Sequence, residues 1–211
     1  LNYEKNIFLG LLLAAGESSR MNEWKPAVLI NDKPILYHSL DLLLCFCKNV
    51  IVVGGYNFSG LENLISLGKY EERVLLVENK SYSNGMLSSV QAGLMGVEFL
   101  FDGLFIMPAD MPFVRKATCE KLTGEMLADN ENDVFIPAVE IAEKENTRLK
   151  KGHPVLIKQK CVDFIKNYDN RGTLRDVLKE LKIHISAVND YGILFDVDEQ
   201  ADLEKAINFQ Y

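Results

Sequence analysis

The chain has 211 residues, 48% of them apolar and 25% charged, and a net charge of −7. That length suits one α/β domain, residues 1–211, and is short for two. The acidic balance argues against a nucleic-acid partner, which calls for a basic face. The longest apolar runs fall well below the ~20 residues of a membrane span.

Four cysteines occur, Cys45, Cys47, Cys119 and Cys161, and none forms a Cys-x-x-Cys pair. Cys45 and Cys47 lie in an apolar run, which favours buried thiols over zinc ligands. The opening Leu-Asn-Tyr-Glu-Lys-Asn is polar and carries no secretory pattern. The expected setting is the cytoplasm, with reduced thiols.

Ile7–Ala15 is an apolar run short enough to be a buried strand, broken at Gly16. After a short extended piece at Val28 and a turn at Asn31-Asp32, a helix is expected from Pro34 to Phe46, with Leu36, Leu40, Leu43 and Leu44 as its apolar stripe. Asn49–Val53 is a β-branched strand, and Ser59 is placed to cap a helix running to Leu67. Strands follow at Val74–Glu78 and Gly103–Pro108, on either side of a polar loop, Asn79–Gly85, and a helix over Met86–Phe99. Lys116–Asp129 reads as helix and Asp133–Val139 as extended chain. Glu140–Lys151 is charged without apolar period and reads as a loop or a hairpin arm. Pro154–Ile157 is a short strand, Lys160–Tyr168 and Thr173–Leu181 are helical, Ile183–Val188 and Leu194–Val197 are extended, and a helix spans Glu199–Phe209. Strands alternating with helices predict a largely parallel sheet covered on both faces. Ligands of such sheets sit outside the carboxyl ends of the strands.

The loops at that edge carry the chemistry. After the first strand, Leu13-Ala-Ala-Gly16 runs into a small, polar loop with Ser19, Arg20 and, shortly after, Lys25. Small residues let backbone N–H groups approach a polyphosphate, and fixed cations offset its charge. Ser88 and Ser89, just past Gly85, suit either helix capping or a ligand at a helix N-terminus. Asp110 stands directly past a strand end between two prolines, where a carboxylate is well placed to hold a hard cation. His153 sits in Lys-Gly-His-Pro-Val, and Arg171 and Arg175 in Asn-Arg-Gly-Thr-Leu-Arg. Asp196 and Asp198, two apart in an extended stretch, point the same way, with capping of the last helix the other use for Asp198. No Gly-x-Gly-x-x-Gly follows the first strand, which removes support for a dinucleotide-dependent oxidoreductase.

Taken together, Leu-Ala-Ala-Gly-x-Ser-x-Arg-Met, the following Lys25-Pro26, Gly-Met-x-Ser-Ser, Asp-Met-Pro-Phe, Gly-His-Pro-Val and Asp-x-Asp resemble, in order, the signatures of nucleotidyltransferases related to molybdenum cofactor cytidylyltransferase. Two departures are Asn22, where that family usually has Gly, and Glu199-Gln200, where it has Thr-Pro. The resemblance implies a three-layer α/β/α, Rossmann-like, nucleotide-diphosphosugar-transferase-like fold with a mostly parallel mixed sheet. It implies transfer of CMP from CTP to the phosphate of molybdopterin, with Mg²⁺ and release of pyrophosphate. In that scheme Asp110 and Asp198 ligate the metal, with Asp196 the alternative to Asp198, and Lys25 and Arg20 hold the leaving pyrophosphate. Leu13, Ala14, Ala15, Gly16, Ser19, Gly85, Ser88 and Ser89 bind nucleotide, and His153, Arg171 and Arg175 bind the acceptor. It further implies a monomer serving a molybdenum hydroxylase. The alternatives are a sister enzyme using another NTP or a sugar or alcohol phosphate, and a non-catalytic accessory protein for hydroxylase maturation.

Overall fold

Alternation along the first strand sets the layers. Leu12 points to one face of the sheet and Leu9 and Leu11 to the other, and all three are buried. A computed structural model describes residues 6–17, 21, 23–143, 146–169 and 172–207. Its elements in chain order begin with β1 (Phe8–Ala14), the hairpin β2 (Leu29–Ile30) and β3 (Lys33–Pro34), α1 (Ile35–Leu44), β4 (Asn49–Gly54) and α2 (Phe58–Leu67). They continue with β5 (Val74–Glu78), α3 (Met86–Leu94), β6 (Gly103–Pro108), α4 (Lys116–Ala128), β7 (Val134–Glu143), β8 (Asn146–Lys151) and β9 (Val155–Lys158). The last are α5 (Val162–Lys166), α6 (Leu174–Lys179), β10 (Ile183–Ala187) and α7 (Gln200–Ile207).

Among the described residues the main sheet has eight strands, in the order β10-β7-β9-β6-β1-β4-β5 with β8 paired to β7. β1 pairs parallel with β4 and β6, β4 with β5, and β7 with β10. Strands β8 and β9 run against the others, because β9 is antiparallel to both β6 and β7, and β8 to β7. The result is a three-layer α/β/α, Rossmann-like fold with a mostly parallel mixed sheet. Leu36, Leu40, Leu61 and Leu122, from α1, α2 and α4, cover one face with Leu12, Val52 and Phe105 of the sheet. Leu87, Val90, Ile165 and Val177, from α3, α5 and α6, cover the other with Leu11, Ile51 and Ile106. A third cluster packs Ala206 of α7 and Val197 on Val28, Ile30, Ile35 and Phe113.

Several local expectations are corrected. Asn57, not Ser59, caps α2: it takes a left-handed backbone and its side chain accepts from the Gly60 N–H, leaving Ser59 inside the helix. Helix α3 stops at Leu94 rather than at Phe99, and Phe99 and Leu100 lie exposed beyond its end. Of the two readings of Glu140–Lys151, loop or hairpin arm, the second holds: its described residues pair in the β7–β8 hairpin. Leu194–Val197 is not a strand: a single 3-10 turn, Tyr191–Leu194, is followed by irregular chain with no ladder partner.

Candidate active site

The site is assembled at the carboxyl edge of β1 and β6. The Ala109 N–H donates to the Leu13 carbonyl at 3.0 Å, so the end of β1 holds the start of the Asp110 turn. From the other side, the fully buried Ser39 of α1 places its hydroxyl 3.2 Å from the carbonyls of both Ala109 and Met111. The Val197 N–H donates to the Asp110 carbonyl at 3.0 Å. That bond brings the irregular segment carrying Asp196 and Asp198 to Asp110, doing the work that a strand was expected to do.

Lys25 closes the cluster. It begins a 3-10 turn stiffened by Pro26 at its second position. Its Nζ donates to Asp198 Oδ1 and lies 3.4 Å from Asp110 Oδ2. The three side chains are 14–29% exposed, so water screens the cluster only in part. Burial pushes the Asp110 carboxyl above its ordinary range; Lys25 opposes that and Asp198 adds to it. Asp198 does not cap α7. Asp202, in the first turn of α7, accepts the N–H groups of Asp198 and Glu199 at 3.2 Å each, and the Asp198 carboxylate takes the Lys25 Nζ as a partner.

Two cavities meet at Asp110. The first, about 80 Å³, is lined by Leu13, Ala14, Gly16, Lys25, Pro26, Ile35 and Ala109 as well as Asp110. Ala15 is buried and lines neither cavity. The second, about 430 Å³, includes Met86, Lys150, Lys151, His153, Ile193, Asp196 and Asp198 in its wall. His153 precedes β9, and because β9 runs against β6 this residue falls at the same edge as Pro108, where β6 ends. Its backbone N–H donates to the Ile193 carbonyl at 3.1 Å, and the His153–Pro154 peptide is cis. Burial pulls the imidazole below its ordinary range against smaller opposing effects of the Ile106 carbonyl and Asp196. Its Nδ1 is buried with no hydrogen-bond partner.

Ser88 and Ser89 line neither cavity. Asn79 Nδ2 donates to both hydroxyl oxygens at 3.0 Å, and the Ser88 hydroxyl reaches the carbonyls of Ser81 and Gly85. The pair therefore fastens the loop that ends at Gly85, whose φ of +93° calls for glycine, and so sets Met86 in the second cavity. Arg175 is exposed on α6 and lines neither cavity. The start of that helix is built by a capping box between Thr173 and Asp176. Ser19, Arg20, Asn22 and Arg171 lie outside the described residues. Sequence reasoning did not single out Lys150, Lys151, Met86 or Asn79. The two adjacent lysines before Gly-His-Pro were the available signal for the first two.

Asp110 and Asp198 fit a hard divalent cation. Asp110 Oδ1 is buried without a hydrogen-bond partner, an arrangement that a carboxylate keeps at a cost unless something binds there. Among the described residues no group of three or more potential ligands occurs. Two carboxylates suffice for Mg²⁺ when phosphates and water complete its shell.

A family model for the MobA-like NTP transferase domain matches residues 10–185. The chain belongs to that family. Its members are nucleotidyltransferases, and in open α/β sheets ligands bind outside the carboxyl ends of the strands, the edge at which both cavities lie. The molybdenum cofactor cytidylyltransferase of Escherichia coli (strain K12) is 25% identical over 197 residues, covering 91% of each chain. Rv0371c of Mycobacterium tuberculosis H37Rv, solved in complex with manganese, superimposes with a TM-score of 0.69 at 19% identity, over 97% of this chain and 100% of that one. A CMP:2-keto-3-deoxy-manno-octonic acid synthetase complexed with CTP gives a TM-score of 0.77 at 16% identity, over 96% and 97%. At those identities the two structures speak for the fold.

Proposed function

We propose that this protein transfers CMP from CTP to the phosphate of molybdopterin and releases pyrophosphate. The observation that carries the reading is the placement of Lys25, Asp110 and Asp198 between a small cavity at the Leu-Ala-Ala-Gly turn and a larger one beside His153. A group-transfer enzyme needs two substrates meeting at one reacting atom, and two cavities sharing one carboxylate suit that need. An acceptor phosphate oxygen forms a bond to the α-phosphorus of CTP, the bond from that phosphorus to the bridging oxygen breaks, and its electron pair leaves with pyrophosphate. A phosphate nucleophile is already ionised, so no general base is required. Lys25, with Arg20, would hold the β and γ groups as charge builds on the leaving pyrophosphate. Leu13, Ala14, Ala15, Gly16 and Ser19 would lie along the nucleotide, with Gly85, Ser88 and Ser89 shaping the loop beside it. His153 would orient the acceptor, with Arg171 and Arg175 farther along its path. Asp110 and Asp198 would hold Mg²⁺, which supplies charge neutralisation at the phosphates when bound.

CTP is chosen over GTP from the turn. On the resemblance noted in the sequence, Leu13-Ala-Ala-Gly16 follows the cytidylyl-transferring relatives, whereas guanylyl-transferring ones carry glycine at the position of Ala15. The similarity to the Escherichia coli cytidylyltransferase over 91% of both chains supports the same base and acceptor. We place the protein in the cytoplasm as a single-domain monomer that supplies a molybdenum hydroxylase. Among the described residues no helix is long and apolar enough to cross a membrane.

The test is pyrophosphate release from each of the four NTPs with Mg²⁺, with and without molybdopterin, alongside Asp110→Ala. Release with CTP only in the presence of molybdopterin, abolished by the substitution, supports the proposal. Turnover of GTP equal to or better than CTP overturns the base assignment. Turnover only with a sugar or alcohol phosphate overturns the acceptor.

A further inference from the structure

Resting on the reaction proposed above, we infer that Lys150 and Lys151 form a clamp for the phosphate of the acceptor, in the larger cavity. The charge in that cavity poses the problem they solve. Asp110, Asp196 and Asp198 all border it, and Lys25 is engaged with two of these. Even with Mg²⁺ on Asp110 and Asp198, a phosphomonoester dianion beside Asp196 and the phosphates of a bound nucleotide is repelled unless cations on its own side offset them. Lys150 and Lys151 are the lysines in the wall of that cavity. Among the described residues, neither lies within 4.0 Å of a carboxylate.

Their placement is fixed at the root. Lys151 pairs with Ala138 and Lys150 with Val139 in the β7–β8 ladder. Directly after them, the Gly152 N–H donates to the Pro137 carbonyl at 2.9 Å and the His153 N–H to the Ile193 carbonyl. A Cβ on Gly152 would stand 2.1 Å from the Ile193 oxygen, so backbone is seated on backbone there. Adjacent residues leave opposite faces of a strand, and the two long stems thus approach the cavity from two sides, a geometry suited to a tetrahedral group with several oxygens. Met86, Ile193 and Leu194 give the rest of the wall an apolar surface for the body of the ligand. The ligand class is a phosphomonoester carried on a flat ring system, and the cavity of about 430 Å³ holds a molecule of that size.

The experiment is calorimetric titration of wild type, Lys150→Ala, Lys151→Ala and the double variant with three probes: molybdopterin, its dephosphorylated form, and pyridoxal 5′-phosphate. CTP binding, which does not touch these lysines, serves as the check that each variant is folded. The expected result is tighter binding of molybdopterin than of the dephosphorylated form by wild type. Each substitution weakens molybdopterin by about tenfold, and the double variant no longer distinguishes the two forms. Raising salt weakens wild type more than the double variant. Lysine-dependent binding of pyridoxal 5′-phosphate with none of molybdopterin upholds the clamp while refuting the acceptor proposed above. Equal binding of the phosphomonoesters by wild type and double variant, or no binding of either by wild type, overturns the clamp.

Discussion

Lys25 and Asp198 stand 173 positions apart in the chain, yet the lysine Nζ donates to the aspartate Oδ1. The same ammonium lies 3.4 Å from Asp110 Oδ2. The lysine thus occupies the space between two carboxylates that are suited to a divalent cation. Lys25→Gln is expected to remove the cation that lies between those carboxylates. Stability then falls by about 1–3 kcal/mol, less than for a fully buried pair because water reaches all three groups. Millimolar Mg²⁺ or Mn²⁺ should restore more of the melting temperature in this variant than it adds to wild type, while turnover drops by about a hundredfold or more. Thermal melts with and without metal check this, and an identical metal response in both proteins would refute it.

Ser39 positions Asp110 without touching it. Its hydroxyl is shared between the carbonyls on either side of that residue. Ser39→Ala removes the donor from a fully buried place and is expected to cost about 1–3 kcal/mol. Because the turn that carries Asp110 loosens, kcat should fall several-fold. A loss of stability with kcat intact would show that the contact supports the fold alone.

Gly152→Ala tests the seat beneath the two lysines. The added methyl meets the Ile193 oxygen, and overpacking of this kind costs about 1–3 kcal/mol. The expected signature is a lowered melting temperature together with a raised acceptor KM and an unaltered CTP KM. A variant as stable as wild type would mean that β8 shifts freely away from Ile193.

Asp129 lies far from this edge and gives the chain an acid-sensitive contact. It accepts the N–H groups of Glu131 and Asn132 at 2.7 Å each. The backbone and side chain of Asn132 hold its carboxyl down from 3.8 to about 2. Its folded-state value lies below the unfolded one, so its contribution is complete above pH ~4 and is lost as pH falls through ~2. Asp129→Ala should therefore lower the urea midpoint at pH 7, and the gap from wild type should close as pH approaches 2. A gap that stays constant from pH 7 to pH 2 would assign the effect to something other than ionisation.

The layered fold was legible because its signals are local: Leu12 and Leu11 alternate across a strand, and Leu36, Leu40 and Leu43 recur on one helix face. Lys25, Asp110 and Asp198 were legible as residue types in motifs. Their meeting was not, because it depends on the Val197 to Asp110 backbone bond, which no periodicity encodes. The use of Ser88 and Ser89 was likewise hidden, since it turns on Asn79, a buried amide that looks like an ordinary loop residue in the sequence. Lys150 and Lys151 were visible only as part of a charged stretch. Their side chains gain a purpose once β9 reverses direction and brings the end of β8 to the edge where β6 stops.

That reversal separates two design problems. A strand parallel to β6 would deliver its far end to the reacting groups, and every change beyond it would disturb them. Here the start of β9 is delivered instead, and the chain leading to it is a hairpin tied down at Gly152. Asn146, where β8 begins, is removed from His153 by the whole length of β8, six residues or roughly 20 Å of extended chain. If the acceptor lies where we propose, changes at that end of β8 would alter what is met at the rim and leave Lys25, Asp110 and Asp198 in place. The hairpin is then the part through which one edge of the sheet would be refitted for a different acceptor.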